Sequence, residues 1–246
     1  MKILTDLLET IQPSEVLSVC IGLNWTAVEV TRDGVEKCGI ASTLIQSHKH
    51  SEEPRIEPAG NFEDFSNIEL AQFSLSDNPT LRSVGIAALN ASITSDVQKF
   101  SESNAAEVLA ERGKDKKIVI IGRFPFVDRL RAQVGELAVI DQDPMPGDYP
   151  PDTAVEIIPQ ADVVAITGMA LINNTFDNLL GLCPAEAFVM VLGPSAPLST
   201  VLFDYGVDVI SGAMVENIQA VIRVISQGGN FRQVHRAGVK LVNMFK

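Results

Sequence analysis

The chain has 246 residues, 46% of them apolar, and a formal net charge of −12. That apolar content can bury a sizeable core, and the acidity, concentrated in residues 1–115, leaves no basic stripe for a nucleic acid or an anionic membrane. The longest apolar runs, such as 118–121 and 188–192, fall far short of the roughly 20 residues of a membrane helix, and "MKILTDLLETIQPSE" carries acids where a signal peptide has an apolar block, so a cytoplasmic protein is expected.

The first half reads as α+β. Three apolar, partly alternating runs occupy residues 16–22, 26–31 and 35–40, and Arg32-Asp33-Gly34 separates the last two. Asp-Gly between such runs is a hairpin signal, so a meander of three antiparallel strands is predicted. The stretch "QSHKHSEEPRIEPAG" is polar, contains two prolines and reads as a loop. Helical spacing returns over 61–74 and 78–93, the second with Asn78 as N-cap and Pro79 at the first helical position. "SNAAEVLAERG" predicts a further helix closed by Gly113 as a C′ glycine. Cys20, Cys38 and Cys183 form no CxxC pair and read as reduced thiols, the first two as small core residues.

The charged "GKDKK" at 113–117 marks a boundary between residues 1–113 and 114–246. Beyond it strand, turn and helix repeat five times, from "KIVIIG" with "VDRLRAQV" to "VDVISG" with "ENIQAVIRVISQGG". Such alternation predicts a parallel sheet covered on both faces, a Rossmann-like architecture with its ligand crevice at the carboxyl ends of the strands. The fold class is α/β, an N-terminal α+β domain followed by a Rossmann-like parallel-sheet domain. Five strand ends gather small, polar and acidic residues: Gly122-Arg123-Phe124-Pro125, Asp141-Gln142-Asp143-Pro144, Thr167-Gly168-Met169 leading to Asn173-Asn174-Thr175, Ser211-Gly212, and Gly193-Pro194-Ser195. Proline stiffens the last turn, which enters a helix predicted over 198–203, and Ser195 there reads either as a helix cap or as a donor to an anionic or polar ligand group.

"GLNWTAVEV" at 22–30, "SVGIAALNA" at 83–91, "IGRFPF" at 121–126 and "GPSAPLSTVLFDYGVDVISG" at 193–212 resemble a bacterial and archaeal family of unknown function named for "putative heavy-metal chelation". The resemblance implies a domain like the N-terminal domain of enolases, then a Rossmann-like domain, with a site between the two. On that arrangement Asn24 and Trp25, at a strand turn of the first half, approach the cleft from the opposite side, although Trp25 can equally be a packing residue.

Metal chemistry has two candidate locations. His48 and His50 lie in an acidic loop with Glu52, Glu53 and Glu57, a spacing that matches no rigid ligand scaffold, and His235 reads as a surface residue. Asp141, Asp143 and Asp148 at a strand end are the better candidates for a divalent or heavy-metal ion, with a capped turn as the alternative. A dinucleotide is disfavoured, because Phe124 and Pro125 stand where the GxGxxG fingerprint would be. Asp141 nonetheless lies where an acid can bond a ribose hydroxyl, so an adenosine-containing ligand without a pyrophosphate fits. "GPSAP" is not a nucleophile elbow and no catalytic residue is assigned. Asn173, Asn174 and Thr175 are either caps or ligand contacts. The sequence thus favours a small-molecule or metal-complex binding protein, with an enzyme using the same cleft as the alternative; self-association into a homo-oligomer is left open.

Overall fold

The computed structural model describes residues 2–45, 56–94 and 100–246. Helix α1 (Lys2–Leu8), which the sequence pattern does not announce, buries Ile3, Leu4 and Leu7. Strands β1 (Glu15–Ile21), β2 (Trp25–Arg32) and β3 (Val35–Ser42) then form the expected antiparallel meander in the order β1-β2-β3. Asp33 and Gly34 both take positive φ, 54° and 76°, the signature of a primed two-residue hairpin turn. The central strand is buried on both faces. Val28 and Val30 belong to the main core, whereas Trp25 and Ala27 belong to a second cluster on the other side.

Helix α2 (Asn67–Gln72) starts with a Ser66–Glu69 capping box. Helix α3 (Pro79–Ser92) starts as predicted, with the Asn78 side chain accepting from the amides of Thr80 and Leu81. Strand β4 (Phe100–Ser101) and helix α4 (Ala105–Arg112) follow. Gly113 does end α4, but with φ −94° it is not a left-handed C′ residue. A Cβ there would lie 2.0 Å from Ile118 Cδ1, so packing and not backbone conformation requires the glycine.

The second half runs β5 (Lys117–Ile121), α5 (Val127–Leu130), β6 (Glu136–Ile140), α6 (Ala154–Ile157), β7 (Val163–Thr167), α7 (Met169–Ile172), α8 (Phe176–Gly181), β8 (Phe188–Leu192), α9 (Val201–Asp204), β9 (Val209–Val215), α10 (Ile218–Ser226), α11 (Phe231–Gly238) and β10 (Val239–Phe245). The sheet order is β4-β10-β9-β8-β7-β5-β6. From β9 to β6 the pairings are parallel, as expected; β10 is antiparallel to β9, and β4 pairs antiparallel with β10. Residues 100–112, which the sequence pattern groups with the N-terminal part, thus supply an edge strand of the large sheet and a helix whose Leu109 packs with Ile118 and Ile120.

Counted in chain order, the five parallel strands stand 2-1-3-4-5, so the order reverses between β5 and β7. Ligands of open α/β sheets bind beyond the carboxyl ends at such a switch point. Alternate residues serve separate cores on the two faces: Val119, Ile121, Ile166 and Val191 on one, Ile118, Ile120, Ala165 and Met190 on the other. Helices α10 and α11 turn back over the small sheet, where Val221, Ile225 and Val234 cover Trp25, Ala27, Cys38 and Ile40. The small sheet is therefore held between α3 and the two late helices.

Candidate functional site

The carboxyl ends of β5, β6, β7 and β8 open into a cavity of about 630 Å³ whose far wall comes from the small sheet and α11. Gly122, Arg123 and Phe124 enter it after β5, Asp141 and Gln142 after β6, and Thr167 and Gly168 at the end of β7. Gly193, Pro194 and Ser195 line it after β8, and Trp25, Ser42 and Phe231 line it from the small sheet and α11.

Gly193 sits at φ +110°, a conformation that costs any other residue strain, and its amide donates to Ser211 O at 3.0 Å. Ser195 is buried, and its hydroxyl caps nothing. The oxygen accepts from the Ser42 amide at 2.9 Å and the hydroxyl donates to Ser42 Oγ at 3.3 Å. Helix α9 begins only at Val201 and has no side-chain cap, which corrects the helix predicted over 198–203. The Asn90 side-chain amide adds bonds to Ile40 O at 3.0 Å and Ser195 O at 3.4 Å, so the β8 turn is tied to β3 and α3.

The Asp141 carboxylate accepts from the amides of Arg123 at 2.8 Å and Asp143 at 2.9 Å, and thereby shapes both turns. Asp148, its side chain 1% exposed, pairs with Arg123 at 2.6 Å. That hydrogen bond holds the Arg123 guanidinium even more firmly protonated than usual. The second arm of Arg123 meets the exposed Asp128 at 2.9 Å. The expected metal set of Asp141, Asp143 and Asp148 is therefore not assembled: one carboxylate is spent on backbone amides and another on a guanidinium. Among the described residues no group of three His, Cys, Asp or Glu side chains is placed to hold a metal ion. Burial pushes the Cys38 thiol up to about 12 and the Cys183 thiol to about 11, and Cys20 is raised as well, so none is poised as a thiolate ligand. His48, His50, Glu52 and Glu53 lie outside the described residues.

Eleven of the expected site residues meet at this cavity: Trp25, Gly122, Arg123, Asp141, Thr167 and Gly168, then Asn173, Thr175, Gly193, Pro194 and Ser195. Two do not. The Asn24 side chain bonds Gly228 O at 3.0 Å and Gly229 O at 3.3 Å, pinning the β1–β2 turn to the α10–α11 connection. Asn174 takes φ 58° in the turn between α7 and α8, outside the lining. Neither asparagine nor Thr175 caps α8 with its side chain, so the cap alternative fails for all three. Met169, at the expected strand end, lines the cavity, whereas Ser211 and Gly212 lie within β9 and do not; Ser42, Leu179, Leu182 and Phe231 also line it, and no sequence motif marks them. Phe231 packs on Trp25 with ring centroids 5.3 Å apart, a contact between chain ends that no local pattern announces.

Family models described as "Putative heavy-metal chelation" match residues 4–93 and 104–244, the second covering more than half of the chain. The chain belongs to the DUF364 family. Crystal structures of DUF364 proteins of unknown function from Desulfitobacterium hafniense and Pyrococcus horikoshii share the fold, with TM-scores of 0.84 and 0.83. Each covers all of this chain, and 98% of the respective relative is matched, at 23% and 22% identity. An uncharacterized protein of Methanocaldococcus jannaschii is 25% identical over 218 residues, which is 85% of this chain and 82% of that one. Among the described residues of this DUF364 protein, no helix is long and apolar enough to cross a membrane.

Proposed function

We propose that the protein binds a small organic molecule, or a metal already held in an organic complex, in the cavity between the small sheet and the strand ends. The single observation that carries this is the cavity itself. Its volume lies in the range of about 300–1,000 Å³ usual for small-molecule sites, and its walls are mainly apolar with a few convergent polar groups. The family description enters in that form only, because a bare ion needs several donors converging at bonding distance and the described residues bring no three His, Cys, Asp or Glu side chains together. Native mass spectrometry of protein purified without chelator tests the proposal. The expected result is an adduct of organic mass; an adduct of one metal ion with no organic part overturns it.

A second reading, an enzyme using an adenosine-containing cofactor, has one observation in its favour. Asp141 follows β6, the strand beside β5, at the position where an acid can meet a ribose hydroxyl. Calorimetric titration with adenosine and with ATP separates the readings: binding of adenosine with rejection of the triphosphate supports the cofactor, and heat from neither removes it.

A further inference from the structure

Resting on the reading of the cavity as an organic-ligand site, we infer that its ligand is aromatic and carries one anionic group, a carboxylate, sulfonate or phosphate, that pairs with Arg123 in the place now held by Asp128. Trp25, Phe124 and Phe231 stand in the wall, so a flat apolar body meets aromatic side chains there. The charged side chains of the lining are Arg123 and Asp141. They are not equivalent. Each Asp141 oxygen already accepts a backbone amide and lies beside the Arg123 turn, which makes it a poor seat for a cationic ligand.

Arg123 is held asymmetrically. One arm is fixed by Asp148, whose side chain is 1% exposed, and the other reaches Asp128, whose side chain is 81% exposed. The buried partner sets the guanidinium plane in advance, so little ordering is needed on binding. The exposed partner is a surface ion pair, a type worth little in water. A ligand anion that displaces Asp128 keeps the guanidinium bonded and makes its own charge-assisted bond to a side chain that lines the cavity and is 26% exposed, where such a bond is stronger than in open water.

The test uses two dyes with one ring skeleton, 8-anilinonaphthalene-1-sulfonate and the neutral N-phenyl-1-naphthylamine. Trp25 is the only tryptophan of the chain and lines the cavity, so a dye bound there is expected to quench it almost completely by energy transfer, whereas a dye on a distant surface quenches it only in part. The sulfonate is expected to bind about tenfold more tightly than the neutral dye, the size of one charge-assisted bond. Asp128→Asn, which removes the competing carboxylate, tightens the sulfonate and leaves the neutral dye unchanged; Arg123→Gln abolishes the preference. Because Arg123→Gln leaves the buried Asp148 with only Arg131 at 3.9 Å and the Met145 amide at 3.3 Å and can unfold the protein, Asp128→Asn decides independently. Equal affinities for the two dyes, or no response of the sulfonate to Asp128→Asn, overturns the inference and leaves the cavity reading intact. Transfer to neither dye overturns the cavity reading itself.

Discussion

The amide of Ser42 donates to the hydroxyl oxygen of Ser195 at 2.9 Å, a bond that spans 153 residues of sequence and joins the last residue of β3 to the turn after β8. Replacing that hydroxyl leaves an amide at the cavity floor without its acceptor. Ser195→Ala is expected to lower stability by about 1–3 kcal/mol in urea unfolding, and to weaken binding in the cavity because the Gly193 turn loses its tether. A loss below about 0.5 kcal/mol would show that the bond contributes nothing.

Gly193→Ala tests the same turn through its backbone. At φ +110° an alanine is strained by about 1–3 kcal/mol, yet its Cβ would meet nothing closer than Phe124 at 3.8 Å. Lower stability without aggregation, together with a shifted tryptophan emission maximum, is expected. An unchanged urea midpoint would mean the turn relaxes freely.

The three thiols should react in a fixed order. Burial raises the pKa of all three, to about 11 for Cys183 and about 12 for Cys38, so iodoacetamide at pH 8 should label Cys20 first, Cys183 slowly, and the buried Cys38 only after unfolding. The same shift has a signed consequence for stability. A thiol whose folded pKa exceeds its unfolded value of about 8.5 favours the folded state below that value, and the contribution is lost as pH rises toward about 12 for Cys38. Cys38→Ala should therefore flatten the fall in melting temperature between pH 8.5 and 11. Parallel curves for the two proteins would exclude Cys38 as its source.

Asp148 should respond to neutralisation and Asp143 should not. Asp148→Asn weakens the Arg123 pair beneath the strand ends and is expected to lower the urea midpoint. Asp143→Asn, at an exposed turn, should stay within about 0.5 kcal/mol of the parent. Zinc or cadmium calorimetry should be blind to Asp141→Asn; a metal-binding heat abolished by that substitution would restore the carboxylates as a metal site.

Local chemistry makes part of this molecule legible. Asp33-Gly34 announces the hairpin, Asn78-Pro79 announces the start of α3, and the short apolar runs from Ile118 onward announce parallel strands buried on both faces. The strand ends follow from that sheet, which is why the alternation of strands and helices alone assigns Gly122, Thr167 and Gly193 to one cleft. What escapes depends on long-range packing. Phe231 reaches the cavity only because α11 folds over the small sheet. β10 follows α11 directly and runs antiparallel at the side of a parallel sheet, without the turn chemistry that marks a hairpin. The role of Ser195 is hidden for a related reason: a serine near a helix start signals a cap, whereas its actual partner lies on another sheet.

The placement of α10 and α11 has a consequence for the order of events during synthesis. When β1, β2 and β3 leave the ribosome, α3 follows soon after and can cover one face, but Trp25, Ala27, Cys38 and Ile40 must wait for residues 218–238. For most of translation the early meander therefore carries a bare apolar surface, the kind of exposed patch that recruits chaperones or aggregates. A ribosome stalled before residue 218 should hold a nascent chain whose first ninety or so residues are open to protease, and release of the later helices should close them.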